Sequence, residues 1–420
     1  MHDVTSAPTE VTAPAPASKA EIVIGLATCN HGGTVAKLVR TVQAGLTASF
    51  KDVPAQVVIV DAGSSDSTRE QIRGVREECP SLVELSVTPG ATGATTTGES
   101  FALRRLLQFA AEGQARACLV LDASLTSVTP DWIGRLLQPI TDHQFDLVAP
   151  FPARHKLEGA LTSGIVYPLT RALYGKRLRQ PLGSVYALSG RLVSHFLSKQ
   201  VWSIEAEQLA TDTRVASEAV CNGFSVCQAF VGPAEHASSG STLDLSGILA
   251  QVLTSVFDEM NRNAGFWQRV RGSEPVRWFG NPVGMHDDSV PVDSARLWES
   301  FRLGCRTLNE VWATVLSPAA LLAFKYLSRE EVSKAVMPDD LWARTIYDFA
   351  LGYRLHVMNR SHLLRALTPL YLGWLAGFAD KMSAVHPHDV ERRVQELSAV
   401  YENQKPYLIS RWRWPDRFTP

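Results

Sequence analysis

Three short stretches of the chain put carboxylates, hydroxyls and small residues where apolar runs stop. They are Ala27-Thr28-Cys29-Asn30-His31-Gly32-Gly33, Asp61-Ala62-Gly63-Ser64-Ser65-Asp66-Ser67-Thr68 and Leu121-Asp122-Ala123-Ser124. In an open parallel sheet, ligands bind beyond the carboxyl ends of the strands, where such residues gather. The second stretch says most. A carboxylate at Asp61 can accept hydrogen bonds from a base or ribose, and the small residues after it let a ligand come close. The plainer reading, that Asp61 only shapes the turn and that Ser65 or Asp66 caps the next helix, stays open. No G-x-G-x-x-G opens the first helix and no G-x-x-x-x-G-K-[ST] occurs anywhere, which weighs against a dinucleotide oxidoreductase and a P-loop enzyme.

The elements that must hold these residues follow from periodicity. Ile22–Leu26, Gln56–Val60, Leu82–Val87, Cys118–Leu121 and Phe145–Pro150 read as strands. Between them Thr34–Leu46, Ser67–Glu78, Phe101–Ala111 and Pro130–Ile140 carry apolar residues at helical spacing. Strands alternating with helices predict a mostly parallel sheet covered on both faces. Beyond about Ser289 the strand-like runs cease, and Ser294–Val315, Asp339–Val357, Leu363–Met382 and His388–Tyr401 read as helices. The expected organisation is a disordered leader over 1–19, a catalytic α/β domain over 20–240, connecting loops and one helix near Ile248–Asn261 over 241–290, and an all-helical region over 291–420.

Composition narrows the function classes. The 420 residues carry 41 Lys+Arg against 42 Asp+Glu, a net charge of −1 that argues against a nucleic-acid binder. Six scattered cysteines and no metal-type spacing predict reduced thiols, as in a cytoplasmic protein. The first residues lack the apolar core of a secretory signal. The apolar stretch Leu363–Ala379 carries Arg365 and Pro369, is shorter than the roughly 20 residues of a membrane span, and reads as one buried helix. Peripheral membrane contact, through this helix or through the interleaved Arg411-Trp412-Arg413-Trp414, stays open, as does a homo-oligomer.

The order Ile22-Val23-Ile24, Asp61-Ala62-Gly63-Ser64-Ser65-Asp66, Leu121-Asp122-Ala123-Ser124 resembles the GT-A nucleotide-sugar glycosyltransferases. The closer likeness is to the mannosylglycerate synthase and glucosyl-3-phosphoglycerate synthase type. It rests on Asp122-Ala123-Ser124 with Pro130-Asp131-Trp132-Ile133, on Gln180-Pro181-Leu182-Gly183, on Thr211-Asp212-Thr213 and on Pro233-Ala234-Glu235-His236. The resemblance covers about residues 21–240. It implies a GT-A, Rossmann-like fold and a retaining hexosyl transfer from a nucleotide diphosphate sugar, of the GDP-mannose or UDP-glucose type, to a small hydroxy acid such as glycerate. A lipid-linked or polysaccharide acceptor, or a catalytically weakened sugar-nucleotide binder, are the alternatives.

By the same resemblance Thr28, Asp61, Asp122, Leu182 and Gly183 bind the donor, and Asp122 and His236 hold a divalent ion, Mg2+ or Mn2+. Asp212 and Asp122 carry the catalysis, and Arg154 and Thr162 meet the acceptor. Two departures stand out. Ser124 replaces the usual Asp of the motif, and Gly93-Ala94-Thr95-Thr96-Thr97-Gly98 lacks the usual phosphate-binding Lys.

Overall fold

The structure, a computed structural model, describes residues 19–86, 95–153, 159–198, 211–237, 244–281, 292–331, 336–382 and 385–415. Eight strands, β1 (Ile22–Thr28), β2 (Ala55–Asp61), β3 (Leu82–Ser86), β4 (Ala117–Asp122), β5 (Leu147–Ala153), β6 (Tyr186–Ser189), β7 (Val226–Pro233) and β8 (Arg277–Phe279), form one sheet in the order β3-β2-β1-β4-β6-β5-β7-β8. β6 runs antiparallel to β4 and β5; every other pairing is parallel.

The strands are apolar because both faces are covered. Ile22, Ile24 and Leu26 of β1 point into a core closed by the helices Val35–Ser49 and Pro130–Thr141, through Leu38, Val42, Ile133 and Leu137. The alternate residue Val23 points into the opposite core, beneath the helix Thr95–Glu112. Gly25 belongs to this second face. A Cβ there would lie 1.8 Å from Leu106 Cδ1, so only glycine lets the helix seat this closely on the strand.

The second core does not stop at the sheet. It continues through Trp298, Trp312, Trp342, Tyr347, Trp374 and Tyr401, so the C-terminal helices share apolar packing with one face of the α/β layer. The link is direct. Gly164, in a π-helical turn at Thr162–Val166, offers its carbonyl to the Trp342 indole N–H at 2.9 Å and the Tyr401 hydroxyl at 3.1 Å. A Cβ on Gly164 would stand 2.2 Å from the Trp374 ring, which is stacked on Trp342.

Several elements differ from expectation. Leu363–Ala379 is not one helix: Arg360–Ala366 ends before Thr368–Met382 begins, with Pro369 in the first turn of the latter, where a missing N–H is harmless. Ser294–Val315 breaks at Leu308 into Ser294–Thr307 and Asn309–Ala313. The last helix is longer, Pro387–Arg413, and carries Trp412 into the interior against Trp267. The connection over 241–290 holds the helix Leu245–Arg262 but also the edge strand β8. Among the described residues no helix is long and apolar enough to cross a membrane.

Candidate functional site

Register places the strand-end residues together. Thr28 pairs with Asp61 across β1 and β2, and Ala27 pairs with Asp122 across β1 and β4. Asp61 and Asp122 therefore stand on the same rim, one on each side of β1, two strand spacings or roughly 10 Å apart. Thr28 lies between them, fully buried.

The turn after β2 is locked onto the turn after β1. The Asp61 carboxylate accepts the Ser64 N–H at 3.0 Å and hydroxyl at 2.6 Å on one oxygen, and Arg69 Nε at 2.7 Å on the other. Burial alone would raise the Asp61 carboxyl, but the Ser64 and Arg69 hydrogen bonds outweigh it and hold the group below the ordinary carboxylate range. Asn30 Oδ1 accepts the N–H groups of Ser65 and Asp66, and the Asn30 N–H reaches the Ser64 hydroxyl. The helix Thr68–Val75 is capped at Ser67, without a side-chain cap bond, and not at Ser65 or Asp66; Asp66 instead accepts the Thr68 N–H and hydroxyl on one oxygen and the Gly32 N–H on the other, tying the two loops. Arg69 and Asn30 were not singled out from sequence, because only the fold brings them to Asp61 and its turn.

Asp122 sits in a second polar knot. Its Oδ1 accepts the Ser124 N–H at 2.8 Å and hydroxyl at 2.6 Å, and its Oδ2 accepts the Ser184 hydroxyl at 2.7 Å. Burial opposes ionisation here too, yet the serine hydrogen bonds and the nearby His236 keep Asp122 below the usual carboxylate range. His236 arrives because the segment after β7 zips onto the segment after β4. Leu125 and His236 form a β-bridge, Thr126 N–H donates to Glu235 O, and Ala237 N–H donates to Ser124 O. His236 Nδ1 then lies 2.9 Å from Ser124 Oγ and 3.8 Å from Asp122 Oδ2. Ser124 Oγ donates to Asp122 Oδ1, and its contact with His236 Nδ1 takes the role that the imidazole tautomer leaves to it.

These contacts test the expected ion. A carboxylate oxygen and an imidazole nitrogen 3.8 Å apart are within reach of one divalent cation. Mg2+ suits few protein ligands because substrate phosphates and water fill the rest. Among the described residues no group of three His, Cys, Asp or Glu side chains gathers, so the pair is what those residues offer. Ser124 stands where the resemblance has a carboxylate, and it bridges the two donors.

The segment carrying Leu182 and Gly183 reaches the same place. Buried Gln228 of β7 accepts the backbone N–H groups of Arg179 and Gln180, and Gln180 Nε2 donates to Leu182 O at 2.7 Å. Ser184, which follows, closes on Asp122. At Gly183 a Cβ would meet nothing nearer than 3.7 Å, so packing does not require this glycine. Ser184 and Gln228 escaped notice in the sequence, since a serine in a loop and a glutamine in an apolar strand have no local signature.

Thr162 is buried at the start of the π-helical turn, which Arg179 ties to this segment through Ser163 Oγ at 2.9 Å. Asp212 is the second residue of the helix Thr211–Cys221; its side chain lies outside the described residues, as do Arg154, residues 93–94 of the Gly93–Gly98 stretch and the side chains of 95–98. None of the six cysteines is in a disulfide.

No protein-family model matches the chain, and no curated protein does. Solved structures offer a low-level likeness. Glucosyl-3-phosphoglycerate synthase from Mycobacterium tuberculosis in complex with phosphoglyceric acid is 17% identical, with a TM-score of 0.41 over 58% of this chain and 80% of that one. The same enzyme with Mn2+, UDP-glucose and phosphoglyceric acid is 19% identical, with a TM-score of 0.42 over 63% and 89%. A mycobacterial protein is 19% identical, with a TM-score of 0.41 over 58% and 74%.

Proposed function

We propose that this chain is a glycosyltransferase that moves a hexosyl group from a nucleotide diphosphate sugar to a small hydroxy-acid acceptor such as glycerate, with retention at the anomeric carbon. The observation that supports the reading is the convergence on one rim of Asp61, Asp122 with His236, and the open backbone at Gly183. The Asp61 turn is a rigid hydrogen-bonded shelf suited to a nucleoside, and Gly183 leaves room for a sugar beside Asp122. Asp122 and His236 would hold a divalent ion, which supplies Lewis-acid stabilisation of the departing diphosphate.

The chain's own contribution is then positioning and electrostatics. Asp122 is ionised at neutral pH, because its folded-state pKa is depressed. Ser124 and Ser184 orient its two oxygens. Thr162 and Arg154 are the residues assigned to the acceptor, and Asp212 to the hydroxyls near the reacting carbon.

The test is a screen of UDP- and GDP-hexoses with Mn2+ or Mg2+ and with glycerate or 3-phosphoglycerate, followed by NMR of the product's anomeric configuration. Transfer with retention, abolished by a chelator, is the expected result. Neither hydrolysis nor transfer with any donor sinks the reading; tight nucleotide binding without turnover replaces it with a sugar-nucleotide binder.

A further inference from the structure

A second concave site lies in the helical region, on elements that contribute nothing to the rim of the sheet. The helices Ser294–Thr307 and Pro318–Leu327 enclose a hollow of about 450 Å³. Four cationic side chains, Arg302, Arg306, Lys325 and Arg329, line it, and among the described residues no Asp or Glu does. In a chain whose net charge is −1, that grouping is a local excess.

The cations are arranged in two ways. Arg302 is anchored: its Nε and Nη2 donate to the carbonyls of Ser328 and Glu330, each at 3.0 Å, and Glu299 takes Nη1. Arg306, Lys325 and Arg329 are exposed, and Arg329 is held over the Tyr326 ring. The base is apolar. Trp312 and Phe324 lie beneath it, and the Trp312 indole N–H is turned away to the Ala366 carbonyl at 2.9 Å. Cations in the last turn of a helix are favoured by the macrodipole, which accounts for Arg306 and Lys325 singly. It does not account for their meeting Arg302 and Arg329 around one cavity, of the size that takes a small ligand.

We propose that this hollow binds a phosphate-bearing ligand, its phosphate gripped by Arg306, Lys325 and Arg329 and its carbon part lying toward Trp312 and Phe324. Guanidinium and ammonium groups converging on a concave, partly apolar surface suit that chemistry. The phosphate could belong to the headgroup of an anionic lipid or to a free phosphorylated molecule.

The experiment uses the full chain and the exchanges R306E/K325E and R306Q/K325Q, which alter exposed residues and spare the anchored Arg302. Binding is measured by cosedimentation with phosphatidylcholine vesicles with and without phosphatidylglycerol, and by calorimetry with inorganic pyrophosphate. Thermal melts confirm that the variants stay folded. Salt-sensitive binding to the phosphatidylglycerol vesicles, weakened at least tenfold in both variants, supports the site with a lipid source. Pyrophosphate binding weakened tenfold in both variants, without vesicle binding, supports it with a soluble source. No binding of either probe, or binding that the exchanges leave unchanged, overturns the proposal. Donor-site occupancy by pyrophosphate falls in that last class, because neither variant touches Asp122 or His236.

Discussion

At the scale of single residues, Asp122 and Ser124 decide what the rim can do. Asp122 is three-quarters buried as a side chain and takes three hydroxyl or N–H donors, yet stays ionised. Replacing Asp122 by Ala is expected to cut the proposed transfer by at least about 10²–10³-fold, the scale on which loss of one preorganised electrostatic group is felt. Steady-state kinetics beside a thermal melt checks this; a folded variant with undiminished turnover moves the site elsewhere. Ser124 touches both Asp122 and His236, so it orients the pair. Ser124→Ala should weaken Mn2+ binding and turnover by about 10–100-fold, the range for groups that support a metal ligand. Titration of Mn2+ by electron paramagnetic resonance reads the first effect independently of activity, and an unaltered affinity would leave Ser124 without this role.

At the scale of elements, the π-helical turn Thr162–Val166 joins the sheet layer to the C-terminal helices. Trp342 donates to Gly164, and Trp374 packs flat against Trp342. The ring cannot retreat from a new methyl group without disturbing that stack. Gly164→Ala is expected to destabilise the protein by about 1–3 kcal/mol, the usual cost of overpacking. A wild-type melting temperature would mean that the stack yields more easily than its burial implies. The same turn carries Thr162 and reaches Arg179 through Ser163, so strain there passes to the segment that brings Leu182, Gly183 and Ser184 beside Asp122. This link gives a second readout: in the proposed reaction both the acceptor KM, through Thr162, and the donor KM, through Leu182 and Gly183, should change.

At the scale of the whole molecule, stability in acid rests on carboxylates buried at both rims. Asp146 lies at the rim opposite the site, where β5 and β7 begin and β6 ends. It accepts the Ser189 hydroxyl, both Arg191 Nε and Nη2, and the Ser225 N–H and hydroxyl. Burial works against its charge, but these partners outweigh burial and depress its pKa. Asp61 and Asp122 are depressed for similar reasons. A depressed folded-state pKa contributes stability that is complete above the ordinary carboxyl value, near 3.9, and is lost as pH falls through the folded value. These three groups should make unfolding free energy drop below about pH 4, whereas Asp348, pushed up to about 6 by burial, adds stability as it takes up a proton between about pH 6 and pH 4. Asp146→Asn should cost roughly 1–3 kcal/mol at pH 7 and flatten the fall below pH 4, as urea melts at stepped pH would show. A parallel fall in the variant and the wild type would assign acid sensitivity to other groups.

The alternation of apolar runs and helical segments is legible in the residues, and with it the parallel strands and the rim on which Thr28, Asp61 and Asp122 stand. This is local information: strand period, a turn-forming cluster and a carboxylate at a strand end are all written in a few consecutive residues. The tertiary structure alone decided the rest. It inserted β6 antiparallel between β4 and β5, added β8 as an edge, and broke Leu363–Ala379 into two helices. It also brought Asn30 onto the turn after Asp61, Ser184 onto Asp122, and His236 to Ser124 across 112 residues of chain. Such contacts depend on which strand lies beside which and on a β-bridge between two distant loops. No local periodicity encodes that pairing; packing of the completed sheet and its helices selects it.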